Sequence, residues 1–332
     1  MKRVLVTGGA GFIGSQFLRL LAARSPRPRL VCLDALTYAG SRENLEGVEE
    51  SLEFVHGDVR DADCLREVLR GVSHVAHFAA ETHVDRSIVG AAEFLSTNVQ
   101  GTHALLLAAR EAGVARIVVV GTDEVYGSVA PPREAREEDP LAPGNPYSAS
   151  KAAADHLALA HHNTYGLPVC VTRCGNNYGP RQFPEKLLPL AILNALQDRP
   201  IPVYGDGRYV RDWVHVEDHA RAVERVLEAG TPGRIYNVGA RDGRENVAVL
   251  RALLARLGKP ASLLTPVQDR PGHDRRYAVE PGRIERELGW RPRIAFDAGL
   301  AATVDWYRGQ ERWWRSALER AAAARRHWLE ES

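Results

Sequence analysis

The chain has 332 residues, of which 45% are hydrophobic and 26% are charged, as in an ordinary globular protein. Its formal net charge of +1 gives no electrostatic reason to expect nucleic acid or a membrane surface as a partner. No apolar run approaches the length of a membrane span, and we expect no signal peptide. The four cysteines fit no metal-ligand spacing, so we expect no metal site and a reducing, cytoplasmic compartment.

The first predicted strand is followed by a glycine-rich turn and an amphipathic helix. Gly8, Gly11 and Gly14 would let the backbone approach a pyrophosphate closely at the N-terminus of that helix. The second strand, over residues 30–33, ends at Asp34, whose carboxylate can accept from a ribose 2′-hydroxyl and repel a 2′-phosphate. Alternatively, Asp34 only caps the next turn. The order of strand, glycine turn, helix, strand and acid favours a site for NAD rather than NADP.

Two further strands end at the same predicted edge of the sheet. The strand over residues 52–56 is followed by Asp58, which either accepts from an adenine amino group or caps the helix that begins near Ala62. The next strand leads to Ala79 and Ala80, whose small side chains would let a dinucleotide pass close to the backbone.

Two segments between strands have interpretations of their own. A long helix is predicted over residues 91–112, and its Asn98 makes either a helix–helix hydrogen bond or a bond that organises a site. The charged stretch over residues 133–139 lies between proline-rich segments, which predicts a solvated surface loop.

Two stretches of the sequence contain most of the candidate catalytic side chains. Thr122, Asp123 and Glu124 follow a buried strand, at the edge of a parallel sheet where ligands collect. Tyr147 and Lys151 stand four residues apart at the start of a helix, so they share one face of it. A lysine ammonium beside a phenol favours the phenolate, so we expect the pKa of Tyr147 to be lowered. One phenol as a base, two carboxyls and a hydroxyl suffice for oxidation and elimination at one site.

The alternation of strands and helices predicts an α/β fold: a Rossmann-type doubly wound parallel sheet with a smaller mixed α/β C-terminal substrate-binding domain. We expect residues 1–180 to form the NAD-binding domain and residues 181–332 mainly the substrate domain, with later segments such as 211–240 returning to the first. In the second part, Arg211 either binds a diphosphate or pairs with a carboxylate. The polar loop over residues 269–277 is typical of an anion site.

Several segments match one known family, namely 7–14, 34–40, 78–87, 122–124, 147–151, 176–180, 183–187 and 211–213. Through them the chain resembles the extended short-chain dehydrogenase/reductase superfamily and, within it, the dTDP-glucose 4,6-dehydratases, over essentially its whole length. The Tyr147 and Lys151 pair is shared across that superfamily. The Thr-Asp-Glu triplet is more specific, because related 4-epimerases and decarboxylases lack the acid pair. Thr82, Gly121 and Gly175 stand where serine is common in the family.

The resemblance implies a mechanism that transforms dTDP-glucose with NAD as cofactor. Tyr147, assisted by Thr122, takes the proton of the sugar C4 hydroxyl while hydride passes from C4 to NAD. Glu124 then removes the C5 proton, and Asp123 protonates the C6 hydroxyl so that it leaves as water. Hydride finally returns from NADH to C6, and C5 is reprotonated. Lys151 would also hold the nicotinamide ribose.

The predicted contacts divide into two sets. The residues predicted to bind NAD are Gly8, Gly11, Phe12, Ile13, Gly14, Asp34, Thr37, Asp58, Val59, Phe78, Ala79, Ala80, Thr97, Tyr147, Lys151 and Asn177. The residues that the resemblance assigns to the nucleotide-sugar are Thr82, Thr122, Asp123, Glu124, Asn176, Glu185, Lys186, Leu187, Pro202, Tyr204, Arg211, Asn246, Asp269, Arg270 and His273.

The resemblance also implies a homodimer, formed through the helices around residues 91–112 and 147–165. Two other functions compete with the dehydratase interpretation. One is a 4-epimerase or decarboxylase that acts on another nucleotide-sugar. The other is an NAD-binding protein without catalysis, against which the full set of catalytic side chains argues.

Overall fold

The computed structural model describes residues 1–330, with the side chains of residues 1–324. The strands are β1 (Arg3–Thr7), β2 (Arg29–Asp34), β3 (Leu52–His56), β4 (His74–His77), β5 (Arg116–Thr122), β6 (Val169–Cys174), β7 (Asn176–Tyr178), β8 (Ile201–Tyr204), β9 (Val210–His215), β10 (Ile235–Val238), β11 (Gly243–Glu245) and β12 (Leu264–Val267). The helices are α1 (Phe12–Ala22), α2 (Ala62–Val68), α3 (Val84–Val89), α4 (Ala91–Phe94), α5 (Thr102–Glu111), α6 (Pro146–Tyr165), α7 (Leu187–Leu196), α8 (Val216–Ala229), α9 (Asn246–Leu257), α10 (Gly282–Leu288), α11 (Phe296–Gly309) and α12 (Glu311–Glu330).

The main sheet has seven parallel strands in the order β10-β6-β5-β4-β1-β2-β3. The order reverses between β1 and β4, which creates a crevice beyond the carboxyl ends of these strands, where open α/β sheets bind ligands. This arrangement confirms the predicted doubly wound Rossmann-type sheet.

Both faces of the main sheet are covered by helices, so its strands read as nearly continuous apolar runs. Alternate residues of one strand face opposite layers. Val118 belongs to the core shared with α1 and α8, whereas its neighbour Val119 packs into the core shared with α2, α5 and α6.

The second half of the chain forms a smaller mixed unit. A three-stranded sheet, β11-β9-β7, and a two-stranded sheet, β12-β8, pack with α7, α9, α11 and α12 around a separate core. Trp313 and Trp314, only 6% and 8% exposed, belong to that core. Trp313 Nε1 also donates to Asn44 Oδ1 at 2.8 Å, and Asn44 Nδ2 donates to Ala10 O at 2.7 Å. The C-terminal helix is thereby connected to the glycine turn.

The chain crosses between the two units, as the order of its strands shows. β9 pairs with β7 and β11 in the smaller sheet, whereas β10 returns to the edge of the main sheet beside β6. The domain boundary at residue 180 stays a prediction.

The long helix predicted over residues 91–112 is continuous but not uniformly α-helical. A π-helical segment, Leu95–Gly101, separates α4 from α5 and contains Asn98. Such π turns are frequent at functional sites.

The expectation of a solvated loop over residues 133–139 is wrong in part. Ala135 is fully buried and pairs with the backbone near Val279. Glu137 is only 6% exposed, and its Oε1 accepts from the Asn237 N–H at 3.1 Å. A charged residue can be buried when it finds such a donor, which the local sequence pattern does not reveal.

Candidate active site

A deep cleft lies beyond the carboxyl ends of β1, β2, β4, β5 and β6, between the main sheet and the smaller unit. Every residue predicted to bind NAD lines this cleft, from Gly8 in the glycine turn to Asn177 in β7. Thr82, the Thr122–Glu124 triplet, Asn176, Glu185 and Lys186 line it as well. The cofactor candidates and the catalytic candidates therefore share one cavity.

The glycine turn closes tightly against the end of β4. Gly8 has φ +67°, and a Cβ at this position would lie 2.6 Å from Ala79 N. Gly11 precedes α1 as its N-cap and has no side chain to occupy the free N–H groups of the first turn. The described first turn contains no acidic side chain. The turn therefore fits a pyrophosphate, because close backbone and free donors favour an anion.

Asp34 stands at the end of β2 with its carboxylate fixed by the backbone. Its Oδ2 accepts from Ala10 N and its Oδ1 from Leu36 N, both at 2.8 Å. Burial raises the pKa of this carboxyl, and the two N–H donors oppose that shift. Asp34 thus supports the turn and also lines the cleft, so its two predicted roles are compatible. Glycine turn and acid together fit NAD.

Asp58 does not cap α2, so one of its two predicted roles is wrong. The cap is Asp61, whose Oδ1 accepts from Asp63 N and Cys64 N at 2.9 and 3.1 Å. Asp58 instead pairs with Arg60 at 2.7 Å, and both residues line the cleft.

The candidate catalytic triplet lies where β5 ends and a 3₁₀ turn, Asp123–Tyr126, begins, so its side chains point in different directions. Thr122 Oγ1 accepts from Glu124 N at 3.3 Å and donates to Asp123 Oδ1 at 3.4 Å. Asp123 is 3% exposed, and its Oδ2 has no hydrogen-bond partner among the described residues. Burial and the neighbouring Glu124 raise the pKa of Asp123 well above its usual range. Asp123 is therefore suited to donate a proton.

Glu124 is contacted by a tyrosine that the sequence analysis did not select. Tyr277 OH lies 3.4 Å from Glu124 Oε2 and 2.9 Å from Asp274 Oδ2. Tyr277 belongs to the polar loop over residues 269–277, whose density of polar side chains was the available signal. This loop thus reaches the triplet.

The expected lowering of the pKa of Tyr147 is wrong for this structure. Tyr147 is 8% exposed, and burial, followed by the Glu124 carboxylate, raises its pKa strongly. A hydrogen bond with Thr122 opposes the shift. Lys151 Nζ donates to Val120 O at 2.7 Å, and burial lowers its pKa. Desolvation of the phenol and the charge of Glu124 therefore set the direction of this pKa shift, which a lysine four residues away does not reverse.

Asn98 combines its two predicted roles. Its Oδ1 accepts from Glu81 N at 2.8 Å, and its Nδ2 donates to Glu81 O and to Ser150 Oγ. Ser150 precedes Lys151 on α6. The Asn98 side chain thus makes a helix–helix hydrogen bond to Ser150 on α6, and it also fixes the backbone of Glu81, which lines the cleft.

The other residues assigned to the nucleotide-sugar lie outside the lining of this cleft. They are Leu187, Pro202, Tyr204, Arg211, Asn246, Asp269, Arg270 and His273. Several of them form a polar cluster around Asp85. Tyr204 OH donates to Asp85 Oδ2 at 3.0 Å, and Arg270 Nη1 donates to Asp85 Oδ1 at 2.8 Å. His273 Nδ1 lies 2.7 Å from Asp269 Oδ1, and its ring stacks on Tyr209 with centroids 3.6 Å apart.

Arg211 connects this polar cluster with the triplet. It is buried and donates to the backbone carbonyls of Val210 and Asp274, at 2.8 and 2.9 Å. Its guanidinium lies 4.2 Å from the centroid of the Tyr277 ring. Within the described residues these contacts replace the ion pair that was the alternative to a diphosphate. Burial lowers the pKa of Arg211, while Glu124 and Asp123 oppose that shift.

Sequence reasoning also missed a group of charges on the approach to the cleft. Arg86 lies 3.4 Å from the centroid of the Tyr38 ring and 3.5 Å from Glu185 Oε2. Tyr38 OH donates to Glu185 Oε1 at 3.1 Å. Asp85 and Arg86 both fall within the matched segment 78–87, and their charges just beyond a strand were the signal.

Two other features, a metal site and a membrane-spanning helix, are absent from the described residues. No group of three or more His, Cys, Asp or Glu side chains is arranged to hold a metal ion there. Over the same residues, no helix has both the length and the apolarity to cross a membrane.

Fold and site together define a nicotinamide-dependent enzyme of the short-chain dehydrogenase/reductase class. Residues 5–303 match the family model described as GDP-mannose 4,6 dehydratase, so the chain belongs to that family. Two curated relatives are the dTDP-glucose 4,6-dehydratases of Xanthomonas campestris pv. campestris (strain B100) and Streptomyces griseus, which are 48% and 50% identical. The matches cover 96% and 94% of this chain and 97% and 95% of the relatives.

Solved structures extend the comparison. DesIV, a dTDP-glucose 4,6-dehydratase from Streptomyces venezuelae with NAD and TYD bound, has 52% identity and a TM-score of 0.93, covering 95% of this chain and 99% of its own. The UDP-glucose 4-epimerase of Thermus thermophilus, in complex with NAD, has 36% identity and a TM-score of 0.87, covering 93% and 99%. The fold is therefore shared by dehydratases and epimerases, and the site must distinguish them.

Proposed function

We propose that the protein is an NAD-dependent dTDP-glucose 4,6-dehydratase, which converts dTDP-D-glucose to dTDP-4-keto-6-deoxy-D-glucose and water. The observation that carries this proposal is the acid pair Asp123 and Glu124, placed beside Tyr147 in the cofactor cleft. A 4-epimerase needs no such pair, because it eliminates nothing. The curated relatives of nearly full length bear the same dehydratase name.

The cofactor would be held by the glycine turn, Asp34 and Lys151, all of which line the cleft. Bound NAD would supply a hydride acceptor for C4 of the sugar and a hydride donor for C6. The described residues fit this group through the close backbone at Gly8 and the fixed carboxylate of Asp34.

Oxidation at C4 begins with removal of a proton. Tyr147 takes the proton of the C4 hydroxyl, and Thr122 assists by hydrogen bonding. Lys151, one turn further along α6, supplies the positive charge that stabilises the phenolate. Burial favours the protonated phenol, so a positive charge near the phenol acts against the effect of burial in this step.

Elimination uses the two carboxyl groups in different roles. Glu124 removes the C5 proton, which the new C4 ketone has made acidic, and C5 must be protonated again for the 4-keto-6-deoxy sugar to form. Asp123 protonates the departing C6 hydroxyl, and burial beside Glu124 keeps Asp123 in the acid form that this step requires. The unpartnered Asp123 Oδ2 is free to meet the substrate.

The nucleotide part of the substrate would extend toward the polar cluster around Asp85. Arg211 and Arg270 are the arginines suited to the diphosphate, because guanidinium groups bind phosphate oxygens in pairs. Arg270 would then exchange Asp85 for the diphosphate. Lys186, whose Nζ donates to Thr82 O at 2.8 Å, lies on the path between the two regions.

We also propose a homodimeric, cytoplasmic protein with its domain boundary near residue 180. Exposed apolar side chains on and near the relevant helices support the dimer: Val89, Leu95 and Tyr165 are 63%, 52% and 53% exposed. The four free cysteines are compatible with a reducing compartment.

The test is incubation of the purified protein with a panel of nucleoside diphosphate sugars, followed by mass spectrometry. We expect dTDP-glucose to lose the mass of one water. A C4 epimer of unchanged mass would instead assign the 4-epimerase function, and a lost carboxyl group on an acidic sugar would assign a decarboxylase.

A further inference from the structure

A buried ion pair involves the face of α6 that carries Tyr147 and Lys151. Arg173 Nε donates to Asp155 Oδ2 at 2.8 Å, and the two side chains are 2% and 0% exposed. Asp155 follows Lys151 by four residues, as Lys151 follows Tyr147, so the three side chains share one face of the helix. The proposed mechanism uses Tyr147 and Lys151 but gives Asp155 no role.

Asp155 and Lys151 approach neighbouring residues at the end of β5. Lys151 Nζ donates to Val120 O at 2.7 Å. A Cβ on the next residue, Gly121, would lie 3.0 Å from Asp155 Oδ1 and 2.7 Å from Thr172 O. The carboxylate therefore lies beside the point where the lysine is anchored. Serine, common in the family at position 121, would have to displace backbone here.

The two oxygens of the Asp155 carboxylate have different surroundings. Asp155 Oδ1 is buried and has no hydrogen-bond partner among the described residues. A buried charge without donors is costly unless a nearby opposite charge offsets it. Burial lowers the pKa of Lys151, and Asp155 acts in the opposite direction. The carboxylate and the lysine thus stabilise each other's charged forms.

We infer that Asp155 is a positioning residue, whose carboxylate, fixed by Arg173, keeps the buried Lys151 side chain charged at the end of β5. Its meaning for catalysis rests on the proposed function, whereas the charge of Lys151 can be measured without substrate. The titratable and charged groups that face Asp155, Lys151 and Tyr147 from the surrounding elements are His77, Asp123, Glu124, Tyr126, His156 and Arg173.

The composition of the chain makes a direct measurement practical. It contains only four lysines, Lys2, Lys151, Lys186 and Lys259. Selective ¹³C labelling at lysine Cε therefore gives few signals, and the Lys151→Arg variant assigns the signal of interest. The pH at which this signal titrates reports the pKa of Lys151 in the holoprotein.

The informative variant is Asp155→Asn/Arg173→Gln, which removes both members of the ion pair, so that neither is left buried without the other. We expect the pKa of Lys151 to fall by about one unit or more. The matched control is Asp218→Asn, because Asp218 is also fully buried and paired with an arginine, Arg221, but lies on α8. We expect the control to lower the unfolding midpoint and leave the Lys151 titration unchanged.

Activity gives a second readout. In the double variant, the alkaline limb of the kcat/KM profile for water loss should move to lower pH, because Lys151 loses its proton earlier. Asp155→Glu, which keeps the charge, should restore the wild-type limb. An unchanged Lys151 titration together with a lowered unfolding midpoint would overturn the inference and leave the pair a purely structural one.

The wild-type protein provides a test that does not depend on the folding of any variant. If Lys151 titrates well below neutral pH, it is uncharged in the working protein and the inference is wrong. If Lys151 is charged and responds to Asp155, but dTDP-glucose loses no water, the inference about charge stands and the proposed function fails.

Discussion

Two hydrogen bonds join the side chain of Asn98 to the backbone of Glu81. The Glu81 N–H donates to Asn98 Oδ1 at 2.8 Å, and Asn98 Nδ2 donates to Glu81 O at 3.0 Å. The same amide reaches Ser150 Oγ at 2.9 Å, beside Lys151. One side chain in a π-helical segment thereby joins the segment after β4 to the catalytic helix.

Replacement of this side chain should therefore destabilise the protein. In Asn98→Ala, both backbone groups of Glu81 lose their partner, so we expect the free energy of unfolding to fall by about 1–3 kcal/mol. Denaturant unfolding measures the change. Ser96→Ala, which loses only an exposed bond from Arg60, should remain within about 0.5 kcal/mol of wild type. Equal stability of Asn98→Ala and wild type would show that water replaces the amide without cost.

Cofactor choice should depend on Asp34. In Asp34→Ala, the acceptor for the ribose and the support for Ala10 and Leu36 are both lost, so we expect weaker retention of NAD and less discrimination against NADP. The measurement is the amount and identity of the nucleotide released when the purified protein is denatured. Wild-type protein that released NADP would contradict the ribose argument.

The phenol of Tyr147 should be needed for oxidation at C4 but not for binding. We expect Tyr147→Phe to bind the nucleotide-sugar and to lose turnover by about 10²–10⁴-fold, as for a positioned acid–base group. Tyr165→Phe is the matched control, because Tyr165 is on the same helix and 53% exposed. Near-normal turnover in Tyr147→Phe would reduce this side chain to a packing role.

Replacement of each of the two adjacent carboxyl groups, Asp123 and Glu124, should impair a different step of the elimination. Asp123→Asn should still exchange the C5 proton with solvent deuterium, because Glu124 is intact, but should lose water about 10²-fold more slowly. Glu124→Gln should lose the C5 exchange. A single-turnover reaction in D₂O, read by mass spectrometry, measures both quantities.

The same experiment can reverse the assignment of Asp123 and Glu124. If Asp123→Asn abolished exchange at C5 while Glu124→Gln retained it, the two roles would be interchanged. If neither variant slowed the loss of water, the elimination chemistry would reside elsewhere and the dehydratase function would be rejected.

Acid should destabilise the fold through buried histidines. Burial lowers the pKa of His77 and of His219 to about 3. A histidine in the unfolded chain has a pKa of about 6.5. Below that pH the unfolded chain therefore binds protons that these two histidines do not bind in the folded chain. The free energy of unfolding should therefore fall as pH drops from about 6.5 toward 3, by up to about 1.4 kcal/mol per pH unit for each histidine.

The contribution of one histidine can be isolated by comparison. Urea unfolding of wild type and His219→Gln between about pH 6.5 and 5 should show a shallower pH dependence in the variant, by up to about one proton. Identical slopes would mean that His219 is already protonated in the folded protein. The comparison cancels the opposing effect of buried carboxyls such as Asp123, which both proteins contain.

The cofactor-binding part of the candidate site could be predicted because the sequence patterns that indicate it are local. A glycine turn between a strand and a helix, and Asp34 at the next strand end, fix where a dinucleotide must pass. The candidate catalytic residues could be selected for a similar reason, since Thr122–Glu124 and Tyr147–Lys151 each form a short pattern. Their placement in one cleft follows from the parallel sheet.

The properties that failed prediction depend on contacts between distant residues. The pKa of Tyr147 is governed by burial and Glu124, which a spacing of four residues cannot report. Glu137 is buried because the distant Asn237 offers an N–H. The cap of α2 is a local exception, since the sequence left open the choice between two nearby acids and Asp61, not Asp58, is the cap.

The connection from Trp313 through Asn44 to Ala10 has a consequence for synthesis of the chain. The seven-stranded sheet lacks β10, one of its two edge strands, until residue 238 has left the ribosome, and the glycine turn lacks its connection to Trp313 until that residue has done so. A nascent chain can therefore form the strands around the nucleotide site early, yet that site reaches its final form only after Trp313 has been synthesised.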